Sequence, residues 1–229
     1  MITNKKKFNT GLGMVAAFTV LLLMMFSPVF GGQNALEYSD ELYNSISKDS
    51  AYYIPDVSEE SDRHIGTSVN VTIDMGSELQ AKQTALLYEG SGAEVTTAGR
   101  QLEINGDIGL ILTSALADAD VLYRNDEETL EQKYGYEAQR AIYNWHMSLE
   151  SIDEELVDQG LFDESKTVGE ALEKGIEPSY NYFGIEPEKM SDKGGIVIGS
   201  LFFYVFYTVL YGFGLMYMFE GWGLKIGAH

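Results

Sequence analysis

Apolar residues run almost unbroken near both ends of the chain and fall into periodic patterns between them. Residues 11–30 and 196–219 form two apolar stretches, each about the ~20 residues that a helix needs to cross a bilayer. Between them, Val69, Val71, Ile73 and Met75 alternate with Ser68, Asn70, Thr72 and Asp74. This period of two predicts a strand over 68–75 with one buried and one wet face. Ala138, Ile142, Trp145, Leu149, Ile152 and Leu156 recur at steps of four and three. That spacing predicts one long helix over 136–159 with a single apolar seam, ended by Gly160.

Weaker signals complete the layout. Asn34 caps a helix over 34–47 that leaves the first apolar stretch. Residues 50–63 read as a loop, with Pro55 and the acidic pair Glu59-Glu60, in which Tyr52-Tyr53-Ile54 lies at the membrane surface or packs on the domain. A helix over 78–88 stops at Gly90-Ser91-Gly92. Two short strands, 93–98 and 100–104, meet at Gly99, and Asn105-Gly106 reads as a turn. Asp107 caps a helix through Leu122. Asn125 with Glu128 resembles a capping pair for a short helix ending near Gly135. A last helix over 167–174 ends at Gly175 and Pro178, and the aromatic run Tyr180, Tyr182 and Phe183 follows it. The expected fold class is α+β, mainly helical: two transmembrane helices flanking an acidic extracytoplasmic domain with a small antiparallel sheet under helices. The expected division is a basic leader (1–10), a first transmembrane helix (11–30), the α+β domain (31–194), a second transmembrane helix (195–219) and a tail (220–229) too short to fold.

Charge orients this layout. The 229 residues carry a formal net charge of −20, and all acidic residues except Glu220 lie between the two apolar stretches. Lys5, Lys6 and Lys7 precede the first stretch with no acid beside them, and short basic flanks stay in the cytoplasm. Both ends are therefore expected inside and the acidic domain outside, in the cytoplasmic membrane of a bacterium or archaeon. The acidic balance excludes nucleic acid and anionic lipid headgroups as partners of the domain. It suits a basic partner, and it also suits a solvated surface with no partner at all. A cleaved signal peptide is the alternative for residues 11–30. The run is long for a signal core, however, and Pro28-Val29-Phe30 is a poor cleavage site.

Catalytic chemistry is not written in the chain. There are no cysteines, which removes disulfides, thiolate metal sites and thiol nucleophiles. His64, His146 and His229 have no metal-ligand spacing, and no nucleophile motif accompanies His146 beside Trp145. Asp118-Ala119-Asp120 with Asn125-Asp126 is the densest oxygen cluster, but its spacing is not that of a calcium loop, and Asp118 and Asp120 point about 200° apart on a helix. Gly90-Ser91-Gly92 lacks the lysine of a phosphate loop and follows a helix. No cofactor and no metal are expected.

The second apolar stretch says more. Ser200, Tyr204, Tyr207, Tyr211 and Gly214 fall within about 80° of one another on a helix. Hydroxyls inside a bilayer face another helix rather than lipid. Gly195 with Gly199, and Gly13 with Ala17, make small-residue pairs that permit close helix approach. Tyr217, Trp222 and Lys225, with Lys5, Lys6 and Lys7, fit interfacial anchoring. Either the chain's own two helices use these faces or other membrane subunits do.

Four readings follow. The one preferred is a non-catalytic accessory or scaffold subunit of a membrane complex, whose partners are other integral membrane subunits and the lipid bilayer. The others are an acidic docking platform for a basic soluble protein such as an electron carrier, an extracytoplasmic sensor or ligand-binding module, and an enzyme.

Overall fold

The computed structural model describes residues 2–224. In chain order the elements begin with α1 (Lys5–Met25), α2 (Ala35–Ser50), α3 (Ile54–Asp62), β1 (Ser68–Asp74) and α4 (Glu78–Gly90). They continue with β2 (Glu94–Ala98), β3 (Gln101–Asp107), α5 (Ile108–Tyr123), α6 (Glu127–Tyr134) and α7 (Ala138–Asp158). Last come α8 (Phe162–Ala171), a π-helical turn (Leu172–Ile176), α9 (Glu177–Asn181) and α10 (Met190–Trp222). The chain divides into two compact units. One takes the residues up to Ile46 and from Glu188 onward; the other is Ser47–Pro187.

The second unit is mainly helical around a three-stranded antiparallel sheet of order β1-β3-β2. β1 shows the alternation expected of it: Val69, Val71 and Ile73 are buried and the residues between them exposed. In the central strand, Leu102 and Ile104 point into the same core. All six seam residues of α7 are buried, with Trp145 packed edge-on against Tyr88 of α4 at 4.9 Å. Asp107 caps α5 by accepting from the Leu110 amide at 3.2 Å, as its position before an apolar run requires.

Four local expectations are corrected. Residues 54–62 are helix α3, not loop: Pro55 sits in its first turn, where a missing N–H costs nothing, and Ile54, Val57 and Ser61 bury one face. Asn105-Gly106 is no turn. Both lie within β3, with Gly106 opposite Val69. A Cβ on Gly106 would stand 2.7 Å from the Ala93 Cβ, so this glycine serves close packing. Asp126 rather than Asn125 caps α6, accepting from the Thr129 amide. Asn125 instead takes the left-handed conformation, at φ 61°. Finally, the helix expected to stop at Gly175 and Pro178 begins at Phe162 and runs on through the π turn into α9, with Pro178 in α9's first turn.

Candidate functional site

The first unit contains two helices, α1 and α10, long and apolar enough to cross a membrane. Both are helical because nearly every side chain is apolar, and a helix satisfies its backbone internally. The Asn4 side chain caps α1 by accepting from the Lys7 amide. Gly223, in the left-handed region at φ 91°, ends α10.

The two helices pair antiparallel. Three glycines set the approach: a Cβ on Gly11 would stand 2.6 Å from the Gly214 carbonyl oxygen, and one on Gly221 would stand 2.5 Å from the Phe8 amide nitrogen. Small residues at such crossings let backbones meet and gain dispersion contact. Farther along, the Phe18 ring stacks on Tyr207 at 4.4 Å and lies 4.7 Å from Tyr211. At the terminal end the Thr3 and Asn4 amides both donate to the Gly221 carbonyl at 2.9 Å, and Lys7 pairs with Glu220 at 2.7 Å.

The expected packing residues separate into two sets. Tyr207, Tyr211 and Gly214 face α1, and the Ser200 hydroxyl accepts from Tyr43 of α2 at 2.8 Å while donating to the Val197 carbonyl. Tyr204 stays 64% exposed. Gly13, Gly195 and Gly199 have nothing within 4 Å of a built Cβ, and Ala17 is exposed. Among the described residues, the hydroxyls of Tyr204, Tyr207 and Tyr211 hydrogen-bond to no protein group, although many other hydroxyls in the chain do. Of the anchor residues, Lys5 and Lys6 are exposed, Tyr217 lies against Phe213, and Trp222 is exposed with its ring edge-on to Phe8. Lys225 lies outside the described residues.

Beside the pairing seam an apolar groove of about 810 Å³ opens between the two long helices and α2, lined by Met24, Phe30, Tyr38, Leu42, Ile196 and Phe203 among others. Its walls carry no charge.

The second unit holds two buried charges that pattern reading missed. Asp118, 2% exposed, accepts from the Lys133 ammonium at 2.6 Å, the Tyr134 hydroxyl at 2.5 Å and the Trp145 indole N–H at 2.9 Å. Burial, with the adjacent Asp118 charge, pushes the Tyr134 hydroxyl far above the ordinary tyrosine range. Lys48, with no exposed surface, donates to Asn125 Oδ1 and to the Tyr182 and Ile185 carbonyls at 2.6–3.0 Å. Desolvation lowers its pKa and outweighs the opposing pull of the Glu186 charge, since the atoms that accept from the ammonium are neutral oxygens. Helical spacing says of Asp118 only that it points away from Asp120, and Lys48 carries no local signal. The partners lie 15 to 27 residues away for Asp118 and 77 to 137 for Lys48.

His64 is buried against the Thr167 hydroxyl at 3.0 Å, and His146 lies 3.3 Å from Glu177. Among the described residues no three histidine, aspartate or glutamate side chains converge as metal ligands would. No protein-family model, no curated protein and no solved structure matches the chain.

Proposed function

We propose that the chain is a non-catalytic accessory subunit of a membrane complex. The α1–α10 hairpin is its anchor and its clamp on a larger integral membrane partner. Both ends lie in the cytoplasm and the acidic unit lies outside, in the cytoplasmic membrane of a bacterium or archaeon. The lysines at the start of α1 support this orientation. The glycine-mediated pairing supports α1 as a retained half of the hairpin rather than a removable leader.

The unpaired phenols carry the reading. Stacking on Phe18 gives the rings of Tyr207 and Tyr211 a role within the chain, but among the described residues no group hydrogen-bonds to their hydroxyls or to that of Tyr204. A hydroxyl in hydrocarbon with no hydrogen bond costs a few kcal/mol, about 2 or more. Contact with another polar membrane helix removes that cost. The open Gly13–Ala17 and Gly195–Gly199 faces provide places where such a helix can come close.

The test pairs crosslinking with hydroxyl deletion. A photoreactive residue at 204 or 199 is expected to label one integral membrane protein, whereas one at 18, half-buried where its ring stacks on Tyr207 and Tyr211, is not. Replacing Tyr204, Tyr207 and Tyr211 together by phenylalanine is expected to leave the hairpin paired and release that protein in mild detergent. Labelling of lipid alone from positions 13, 199 and 204 would refute the proposal.

A further inference from the structure

We infer that the outer edge of β2 is a strand-addition site for an extended, basic polypeptide segment. The inference concerns the Ser47–Pro187 unit and does not rest on the membrane partner proposed above.

The two edges of the sheet are treated differently. The outer edge of β1 is occupied: Gln159, at the end of α7, donates its amide to the Asn70 carbonyl at 3.0 Å. β2 pairs with β3 through five consecutive residues, Glu94–Ala98, with no bulge in the register. On its other side, among the described residues, no protein group hydrogen-bonds to its backbone. Glu94, Thr96, Thr97 and Ala98 are all exposed. Exposed edges are ordinarily blocked by lysine, proline, a bulge or a covering element. Within β2 there is no lysine, proline or bulge, and the Val-Thr-Thr core of the strand favours extended backbone.

Charge decides the occupant. The unit carries 29 acidic against 9 basic residues, so a second copy of the chain would meet strong like-charge repulsion. On the solvent face the cross-strand rows are Asn70–Asn105–Glu94 and Thr72–Glu103–Thr96. A residue added beside Glu94 in the first row meets a carboxylate. One added beside Thr96 can reach Glu103 across a short side chain if it is long. Both positions select lysine or arginine, since opposite charges across strands attract and like charges repel. The positions between them would lie over half-buried Val95 and over Thr97, where β-branched apolar side chains fit. The recognised pattern is therefore basic and β-branched residues in alternation, held by main-chain hydrogen bonds.

The probe is a synthetic peptide of alternating lysine and valine, added to the full chain in detergent micelles. Binding is followed by fluorescence anisotropy, and the site by amide hydrogen exchange. The expected result is slowed exchange confined to residues 94–98 and a dissociation constant about tenfold weaker at high salt, as screened attraction requires. Glu94→Lys is expected to weaken binding about threefold or more. Thr97→Lys, which places a charge over the inward side of the edge, is expected to abolish it while circular dichroism shows the fold intact. A peptide of the same composition with its lysines and valines in two blocks tests for charge alone. If it slows exchange at 94–98 equally, the inference is overturned. It is also overturned if the alternating peptide protects some other segment, or does not bind at concentrations up to about 1 mM.

Discussion

Replacing Asp118 by alanine tests whether the buried carboxylate organises the α5–α6–α7 core. The side chain accepts three hydrogen bonds, and two of its donors, the Tyr134 hydroxyl and the Trp145 indole N–H, belong to buried residues. Each buried donor left without a partner costs about 1–3 kcal/mol. Lys133, whose side chain is 42% exposed, can turn to water and adds little. The sum lies near 3–5 kcal/mol, the range found when one member of a buried pair is removed. For a unit of this size that is a fall in Tm of roughly 10–15 °C. Lys133→Met, which leaves both buried donors in place, is expected to cost less than half as much. The assay is urea unfolding of the full chain in micelles, followed by near-ultraviolet circular dichroism, because Trp145 and Tyr88 pack edge to face. A cost below about 1 kcal/mol for Asp118→Ala would mean that water reaches these donors and that the carboxylate is not an organising group. A larger cost for Lys133→Met than for Asp118→Ala would refute the assignment of the energy to the buried donors.

Three other outcomes follow from the same geometry. Gly11→Leu is expected to open the hairpin, since a Cβ there meets the Gly214 backbone at 2.6 Å, while Gly13→Leu has open space; disulfide yield between cysteines placed at positions 8 and 222 separates the two. Burial pushes the Tyr123 and Tyr136 hydroxyls up to about 12. The folded state holds these protons more tightly than the unfolded chain, so their stabilisation is complete below about pH 10 and is lost as pH rises towards about 12, which unfolding measured across that window should show. Lys48→Met removes the cation shared by Asn125 Oδ1 and the Tyr182 and Ile185 carbonyls; each keeps a second donor, so the cost is about 1–2 kcal/mol, and the change should speed amide exchange in the segment after Tyr182; unchanged exchange there would remove Lys48 as its fastener.

The legible parts of this fold are those whose signals are local and periodic. β1 and α7 follow from spacing alone, because one face of each meets the core along its whole length. Misreadings arise where one residue type serves two physical ends. Asn105-Gly106 has turn chemistry, yet the glycine is needed because Ala93 leaves no room for a side chain. Pro178 has terminator chemistry, yet a π turn just before it changes the backbone pairing, so its missing N–H falls in a first turn. Asn125 and Asp126 are adjacent candidates for one cap. The cap goes to Asp126 because the Asn125 side chain is held by Lys48 and accepts from the Gly184 amide. No local window contains those partners.

Spacing alone groups the stripe on α10 but does not choose its partner. Helical spacing places Ser200, Tyr204, Tyr207, Tyr211 and Gly214 together whichever helix they meet. In the folded chain the members do different things. Gly214 and the two stacked rings meet α1, Ser200 meets Tyr43, and Tyr204 stays largely exposed at the rim of the groove. Phenylalanine at 207 and 211 would stack on Phe18 equally well and would be cheaper to place in hydrocarbon. A need for the oxygen would account for tyrosine at those positions, and among the described residues no group of the hairpin hydrogen-bonds to it. If the triple phenylalanine variant kept both its pairing and its membrane partner, the hydroxyls would be idle, and self-association of the two helices would be sufficient explanation for the whole stripe.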